Sequence, residues 1–421
     1  MHIPACLFFR CNLPRPCLWI GLLLIPLCCI AEGLGEDVFF SFQRNTEADE
    51  QSVLLWDDAR PLPRSVAAER LQQVEFRVIK PYEYNTDGYR FLHGVALVWH
   101  KGKLLASFGH NRGGENTDTE EARYRVSEDG GRSWSDVLTL DAGPEPGVGI
   151  SHGVFLSHGE TLWAFHGAYS GIMQNVHTRA YTLDESTNSW IPRGAVIAEG
   201  FWPMNQPIQM EDGNWIMPGI RVGGEHPSAV AISRGEDFTR WDLRVIPRDS
   251  SLGKMWGESA VIVSGKEIWN ISRYGDAAQA LVAHSQDYGR NWSPLRVSNL
   301  SMTTSKPCAG LLSTGQRYLI STITADCGKS RAPLTIALSR PGQIPFSKVM
   351  IIRPAEFPEG PGESHPRAAL AYPCAIEHEG KLYVGYSNNG GNQGRVGVGR
   401  ELWNNNSAEL AIIPLEQLRV E

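Results

Sequence analysis

Cysteine is nearly absent from the body of this chain. Five of its eight cysteines precede Ala31, leaving Cys308, Cys327 and Cys374. That rules out a scaffold stapled by several disulfides, since three thiols form at most one internal bridge. Cys308 and Cys327 bracket two adjacent strands and are the expected pair. Helical periodicity is also scarce after the leader, with Ser65 to Gln73 the one modest helix candidate. A basic excess is missing: 39 Lys and Arg face 46 Asp and Glu, a formal charge of −7. Nucleic acid is thereby excluded as the main partner, because phosphate binding needs a basic face. A small anion is not excluded, since an arginine cluster can dominate the field inside a cleft. There is no His-Glu-x-x-His, no EF-hand loop and no cysteine pair at zinc spacing, so neither metal nor cofactor is expected. NNGGNQGRVG (Asn388 to Gly397) is glycine-rich but lies between strands, not at a strand-to-helix turn that would cradle phosphate.

Long apolar runs are confined to the start. Arg10 and Arg15, then the apolar stretch Leu18 to Ile30, then the small residue Ala31, have the order of a signal peptide over residues 1–31. The apolar part is short for a membrane span, and a retained anchor is the alternative. The expectation is a secreted or periplasmic protein, free of the membrane after cleavage. Its organisation would be an N-terminal extension over residues 32–72 and a single domain over 73–421. Sequons at Asn270, Asn291, Asn299 and Asn405 are relevant only to a glycosylating host.

What the chain has in abundance is short β-rich runs broken by Gly, Asn, Asp and Pro, the pattern of an all-β protein. SEDGGRSW (Ser127 to Trp134) returns as SQDYGRNW (Ser285 to Trp292), two copies of S-x-D-x-G-x-x-W. In this frame Ser and Asp can bond the backbone of their own turn, Gly admits a positive φ, and Trp packs between neighbouring units. It reads as a hairpin staple, with no chemical role for Asp129 or Asp287. Looser relatives occur at Ser233 to Trp241 and Ser339 to Phe346.

A larger repeat surrounds the staple. Six stretches, beginning at His93, His152, Gln206, Glu258, Lys306 and Tyr372, each read as an apolar strand, a tight turn and an alternating strand. Their turn glycines are Gly102, Gly159, Gly213, Gly265, Gly315 and Gly380, spaced 50 to 65 residues apart. Four short strands and their loops need about this length. Six such units predict a six-bladed β-propeller of four-stranded antiparallel blades, with the first strand of each blade lining the axis. Ala408 to Pro414 would be the third strand of the last blade. Gln73 to Lys80, far upstream, would supply its fourth and latch the ring. A seventh blade built from the region before residue 73 is the alternative.

The staple is similar to the Asp-box, or BNR repeat, of the sialidase superfamily, and the six-unit order resembles a sialidase propeller from Gln73 onward. In GESAVIVSGKEIWNISRYGD, Glu258 and Arg273 match a Glu opening an inner strand and an Arg ending the next. Arg331, in SRAPLTIALS, matches an Arg ahead of an alternating strand, and Tyr372, in AYPCAIEHEGKLYVGYS, matches the nucleophilic Tyr. Arg90 is the nearest match to an arginine opening the first blade, although Phe-Leu-His-Gly follows it. Asp118, in NRGGENTDTEE, matches the acid. Glu115, Glu120 and Glu121 share that loop and compete with it.

The resemblance implies an exo-acting glycoside hydrolase that removes a terminal acidic sugar, sialic acid, from a glycan. Arg90, Arg273 and Arg331 would clamp the sugar carboxylate, for which planar guanidinium groups are suited. A carboxylate nucleophile would be repelled there, so Tyr372, activated by Glu258, would attack, and Asp118 would protonate the leaving oxygen. His93 and His152 each open an inner strand as His-Gly and should share one mouth of the channel as acid–base or binding groups. They keep a second enzymatic reading open. Some sialidase-like propellers act on rhamnose–glucuronate linkages, as hydrolases or lyases, with His moving the proton. A non-catalytic glycan-binding propeller is the third reading. Each residue also has an ordinary alternative: Glu258 and Arg273 as an ion pair, Tyr372 as a packed strand tyrosine, Asp118 as a solvated loop carboxylate, and the two histidines as repeat packing.

Overall fold

A ring of six antiparallel sheets, each beginning at the central axis, follows from these patterns in the computed structural model, which describes residues 53–362, 364–389 and 406–420. The leader, most of the Asn388 to Gly397 loop and the Asn405 sequon lie outside the described residues. Blade 1 runs through Phe91–His100, Lys103–Asn111, Glu120–Ser127 and Leu138–Asp141. Blade 2 is Val148–His158, Thr161–Ser170, Gln174–Asp184 and Ser189–Ile197. Blade 3 opens with two fragments, Phe201–Pro203 and Ile208–Gln209, and continues through Trp215–Arg221, Ser228–Arg234 and Asp237–Val245. Blade 4 is Met255–Ser264, Glu267–Tyr274, Gln279–Ser285 and Arg296–Ser301. Blade 5 is Cys308–Leu311, Arg317–Ser321, Leu334–Ser339 and Phe346–Arg353.

The ring closes as the sequence predicts. Blade 6 takes Ala369–His378, Lys381–Asn389 and Asn406–Pro414 from the C-terminal part and its outer strand, Glu75–Lys80, from the N-terminal part. Antiparallel pairing of Glu75 with Ile412 and Arg77 with Leu410 joins the two ends of the fold. All six turn glycines adopt a positive φ, the conformation a tight hairpin requires there.

Apolar clusters fill every junction between neighbouring blades, and the junction of blades 2 and 3 holds two. At the junction of blades 6 and 1, for example, Leu97 and Phe108 meet Tyr383, Leu410 and Ile412. The staples edge these clusters: Trp134 packs at that junction, and Trp292 packs between blades 3 and 4. Asp129 accepts from the backbone N–H groups of Arg132 and Ser133 and from both the Ser127 and Ser133 hydroxyls. These bonds hold its carboxyl down at about 2, the Ser133 hydroxyl contributing most. Asp287 repeats the arrangement with Asn291.

Three expectations need correction. Ser65 to Gln73 is a turn followed by the strand pair Glu69–Arg70, which lies parallel to Met350 and Ile351. Leu71 is buried between blades 5 and 6 while Val66 is 90% exposed, so the segment has no helical apolar face. Among the described residues, the N-terminal region adds no seventh blade. Leu55 and Trp56 instead bury between blades 4 and 5, and their N–H groups both donate to Asn299 Oδ1. Cys308, Cys327 and Cys374 are all free and buried. Cys308 lies on the innermost strand opposite Ile320, and Cys327 sits beyond that partner strand in the following turn. The sequon asparagines Asn270 and Asn299 are also committed to the fold, the first fully buried and the second bonded to the Leu55–Trp56 backbone.

Candidate active site

Four innermost strands break register near the same mouth of the channel. The shifts fall between His93 and Ala96, Ile150 and Gly153, Met255 and Ser259, and Ala371 and Cys374. An extra residue in a strand bends it and re-aims its side chains. Here the breaks present His93, His152, Glu258 and Tyr372 to a cavity of about 440 Å³. The glycines after the two histidines serve this geometry. Gly94 has φ +66, and a Cβ on it would lie 2.2 Å from Cγ of His152.

Tyr372 carries the backbone cost of its position. Its φ is +54, a left-handed conformation that costs a non-glycine residue about 1–3 kcal/mol. Pro373 has no N–H to give the ladder, so pairing is interrupted there in any case. Lys306, fully enclosed, donates from Nζ to the Pro373 carbonyl at 2.6 Å and helps to pin the bend. The Tyr372 hydroxyl donates a hydrogen bond to Glu258 Oε1. Arg273 bonds Glu258 Oε2 at 2.9 Å and the Tyr372 oxygen at 3.4 Å. Burial and the Glu258 charge raise the phenol well above its usual range, against the opposing pull of Arg273 and Arg331. The phenol therefore stays protonated at rest, and the carboxylate that would take its proton is already bonded to it. The Arg331 guanidinium lies 5.9 Å from the Tyr372 ring centre and donates to the Thr304 carbonyl.

The two histidines complete the wall beside Tyr372. Their ring centres lie 3.7 Å (His93) and 5.5 Å (His152) from that of Tyr372. Neither His93 nitrogen has a hydrogen-bond partner among the described residues. Burial, then His152 and the cations Arg331, Lys306 and Arg273, push His93 well below its usual value, so it stays neutral.

Tyr372, Glu258, Arg273, Arg331, His93 and His152 are thus brought together, whereas Arg90 and Asp118 do not line the cavity. Arg90 is exposed, with its guanidinium over the Tyr84 ring and bonded to that hydroxyl. Its backbone N–H already pairs with Asn111 beside the first strand, and its side chain turns outward. Asp118 sits exposed on a loop that folds around Asn111, whose amide bonds Gly114 and Thr117. That fold brings Glu115 and Glu120 to the cavity instead. Glu120 is fully buried, and burial raises its carboxyl to about 7 despite hydrogen bonds from Ser151 and Tyr169.

Lys306 is a cavity-side residue that the motif reading misses, yet the sequence carries a signal for it. Lys-Pro-Cys-Ala at Lys306 and Tyr-Pro-Cys-Ala at Tyr372 occupy equivalent places in consecutive blades. Trp202 and Trp256, which also line the cavity, carry no comparable mark.

The BNR repeat-like domain family matches residues 146–384, more than half of the sequence, and the chain belongs to that family. A comparison with curated protein sequences finds no match. Among solved structures, a Dyadobacter fermentans protein of unknown function superposes with a TM-score of 0.59 at 14% identity, over 81% of this chain and 99% of that one. The Hadza microbial sialidase Hz136 gives 0.60 at 12% identity, over 80% of this chain and 68% of that one. A Trypanosoma rangeli sialidase mutant displaying trans-sialidase activity gives 0.58 at 13% identity, over 84% of this chain and 60% of its own length. At such identities the likeness is one of fold: this is a sialidase-type propeller.

Proposed function

We propose that the chain is an exo-acting glycoside hydrolase of the sialidase type, releasing a terminal acidic sugar, sialic acid, with retention at the anomeric carbon. The observation that carries this reading is the Tyr372 hydroxyl bonded to Glu258, with Arg273 touching both. Arg273 and Arg331 would hold the sugar carboxylate in charge-assisted hydrogen bonds. With that anion seated, a neutral phenol attacks where a carboxylate would be repelled. Glu258 accepts the phenolic proton as the bond to the anomeric carbon forms, and the leaving oxygen is protonated from the wall carrying Glu115 and Glu120. Water then attacks the sugar–tyrosine intermediate, and Tyr372 recovers its proton. Neutral His93, rather than Arg90, would complete the carboxylate site as a hydrogen-bond donor. The leader-like segment supports export.

A specific observation favours one second reading. Two histidines line the cavity and the third arginine does not, which suits a glucuronate in a rhamnose–glucuronate linkage cleaved by hydrolysis or elimination. The test is turnover of a methylumbelliferyl sialoside beside a rhamnose–glucuronate oligosaccharide, with ultraviolet absorbance followed to detect an unsaturated product. Sialoside turnover supports the first reading. A folded protein that ignores the sialoside and cleaves the oligosaccharide replaces it with the second, and binding without turnover of either leaves a lectin-like propeller.

A further inference from the structure

Between blades 1 and 2, three buried side chains form an unbroken hydrogen-bonded line. Ser151 Oγ lies 2.5 Å from Glu120 Oε1, and the same Oγ lies 3.1 Å from Nδ1 of His152. At the outer end, Tyr169 donates to the other Glu120 oxygen at 2.7 Å. At the inner end, His152 Nε2 has no partner among the described residues, and the ring lines the cavity.

The line is built into the backbone. Gly109 lies against the carboxylate, where a Cβ would come within 2.2 Å of Glu120 Oε1, as Gly94 lies against the His152 ring. His166 Nδ1 is bonded to the Ser151 carbonyl at 2.8 Å, and Trp202 Nε1 donates to the His152 carbonyl at 3.0 Å. The peptide carrying both relay residues is therefore held from two sides.

An imidazole in this position cannot readily hold a charge. Burial, then Lys306 and His166, lower His152 to about 3, and His93 adds no anion to offset them. A base that cannot become an imidazolium can still accept a proton at Nε2 if it releases one at Nδ1. Ser151 is placed to pass that proton on, and Glu120 is placed to keep it. Among the described residues, Glu115 and Tyr169 are the titratable groups that act most strongly on Glu120, with neutral His152 beyond Ser151 and Asp118 acting on the tyrosine. None of them is a cation that would hold Glu120 ionised.

We propose that Glu120, Ser151 and His152 form a proton relay in which His152 Nε2 is the acid–base contact with substrate and Glu120 stores the exchanged proton. The proposal rests on the hydrolase reading of the cavity. In the ionised state Ser151 donates to the Glu120 carboxylate, His152 Nδ1–H donates to Ser151 Oγ, and Nε2 bears a lone pair. A proton taken from the attacking water at Nε2 sends the Nδ1 proton to Ser151 Oγ and the serine proton to Glu120. The result is a neutral imidazole protonated at Nε2, a neutral serine and a carboxylic acid. Run in reverse, the relay delivers the Nε2 proton to the departing glycosidic oxygen in the first half-reaction.

The test is nitrogen NMR of the histidine-labelled full chain across about pH 5 to 9, with His152 assigned by loss of its signals in His152→Gln. The expected result is a switch from Nε2–H to Nδ1–H with a midpoint near the value of about 7 that Glu120 holds. The switch should vanish in Glu120→Gln and Ser151→Ala and persist in Ser151→Thr. Ser151→Ala should also lower kcat by about a hundredfold with little change in KM. A wild-type ring whose tautomer does not move with pH overturns the relay, as does a switch that survives in both Glu120→Gln and Ser151→Ala. Because the NMR readout needs no substrate, a switch without sialoside turnover refutes the sugar assignment and leaves the relay standing. Turnover without a switch refutes the relay alone.

Discussion

Tyr372→Phe removes one oxygen from the centre of the site and leaves nearly everything else in place. The ring keeps its contacts with His93 at 3.7 Å and Arg331 at 5.9 Å, and phenylalanine fills the same bend. What is lost is the hydroxyl's bond to Glu258 and the longer one from Arg273. Glu258 is not orphaned, because Arg273 still bonds its other oxygen at 2.9 Å. The net cost in stability should therefore be only about 1–2 kcal/mol. In a chain of this size that lowers Tm by about 1–3 °C. On the hydrolase reading the catalytic cost is much larger, since among the described residues no other group is placed to form the proposed covalent intermediate. Turnover of a methylumbelliferyl sialoside should fall by on the order of a thousandfold or more. KM should change little, because Arg273 and Arg331 remain to seat the carboxylate. A folded Tyr372→Phe protein with kcat within about tenfold of wild type would refute the nucleophile assignment. It would reduce Glu258 and Arg273 to a buried structural pair.

The other expectations concern the walls of the cavity and the scaffold. Arg331→Ala should raise KM about tenfold or more by removing a charge-assisted contact with the substrate carboxylate, while Arg90→Ala should leave steady-state kinetics unchanged. Gly109→Ala should displace the Glu120 carboxylate and cost about 1–3 kcal/mol in a denaturant titration, with activity falling as well. Glu120 rises from 4.5 to about 7 on folding, so between these pH values the native state binds more protons than the unfolded state. Its contribution therefore becomes unfavourable as pH rises across that window, by about 3 kcal/mol in all, and urea titrations should show this slope in wild type but not in Glu120→Gln. A wild-type minus variant difference that stays flat with pH would contradict it. Asp287→Ala should lower Tm without altering kcat, since its carboxylate bonds only its own turn and the adjoining Asn291.

The six-bladed ring is written in local pattern. Its six hairpins, their glycines and the two staples act within a few dozen residues, where local backbone preference and alternating burial decide the outcome. The latch from Glu75–Lys80 onto Asn406–Pro414 was legible too, because a last blade short of a strand must find one elsewhere. His93 and His152 were legible as residues of one mouth from their places in the repeat, whereas Glu258, Arg273, Arg331 and Tyr372 were pointed to by the resemblance to sialidase motifs; all six line one cavity. Side-chain directions depend on the packed fold. Arg90 and Asp118 stand within a few residues of the cavity in sequence, yet a stack on Tyr84 and a loop wound around Asn111 turn them outward. Glu120, one of four carboxylates in that loop, is carried inward as the first residue of a strand and meets Ser151 and Tyr169 from the next blade. Lys306 reaches the Pro373 carbonyl only because blades 5 and 6 pack side by side. Repeats fix where a strand begins; which way a side chain points at a bulge depends on neighbours distant in sequence, and so do its burial and its charge.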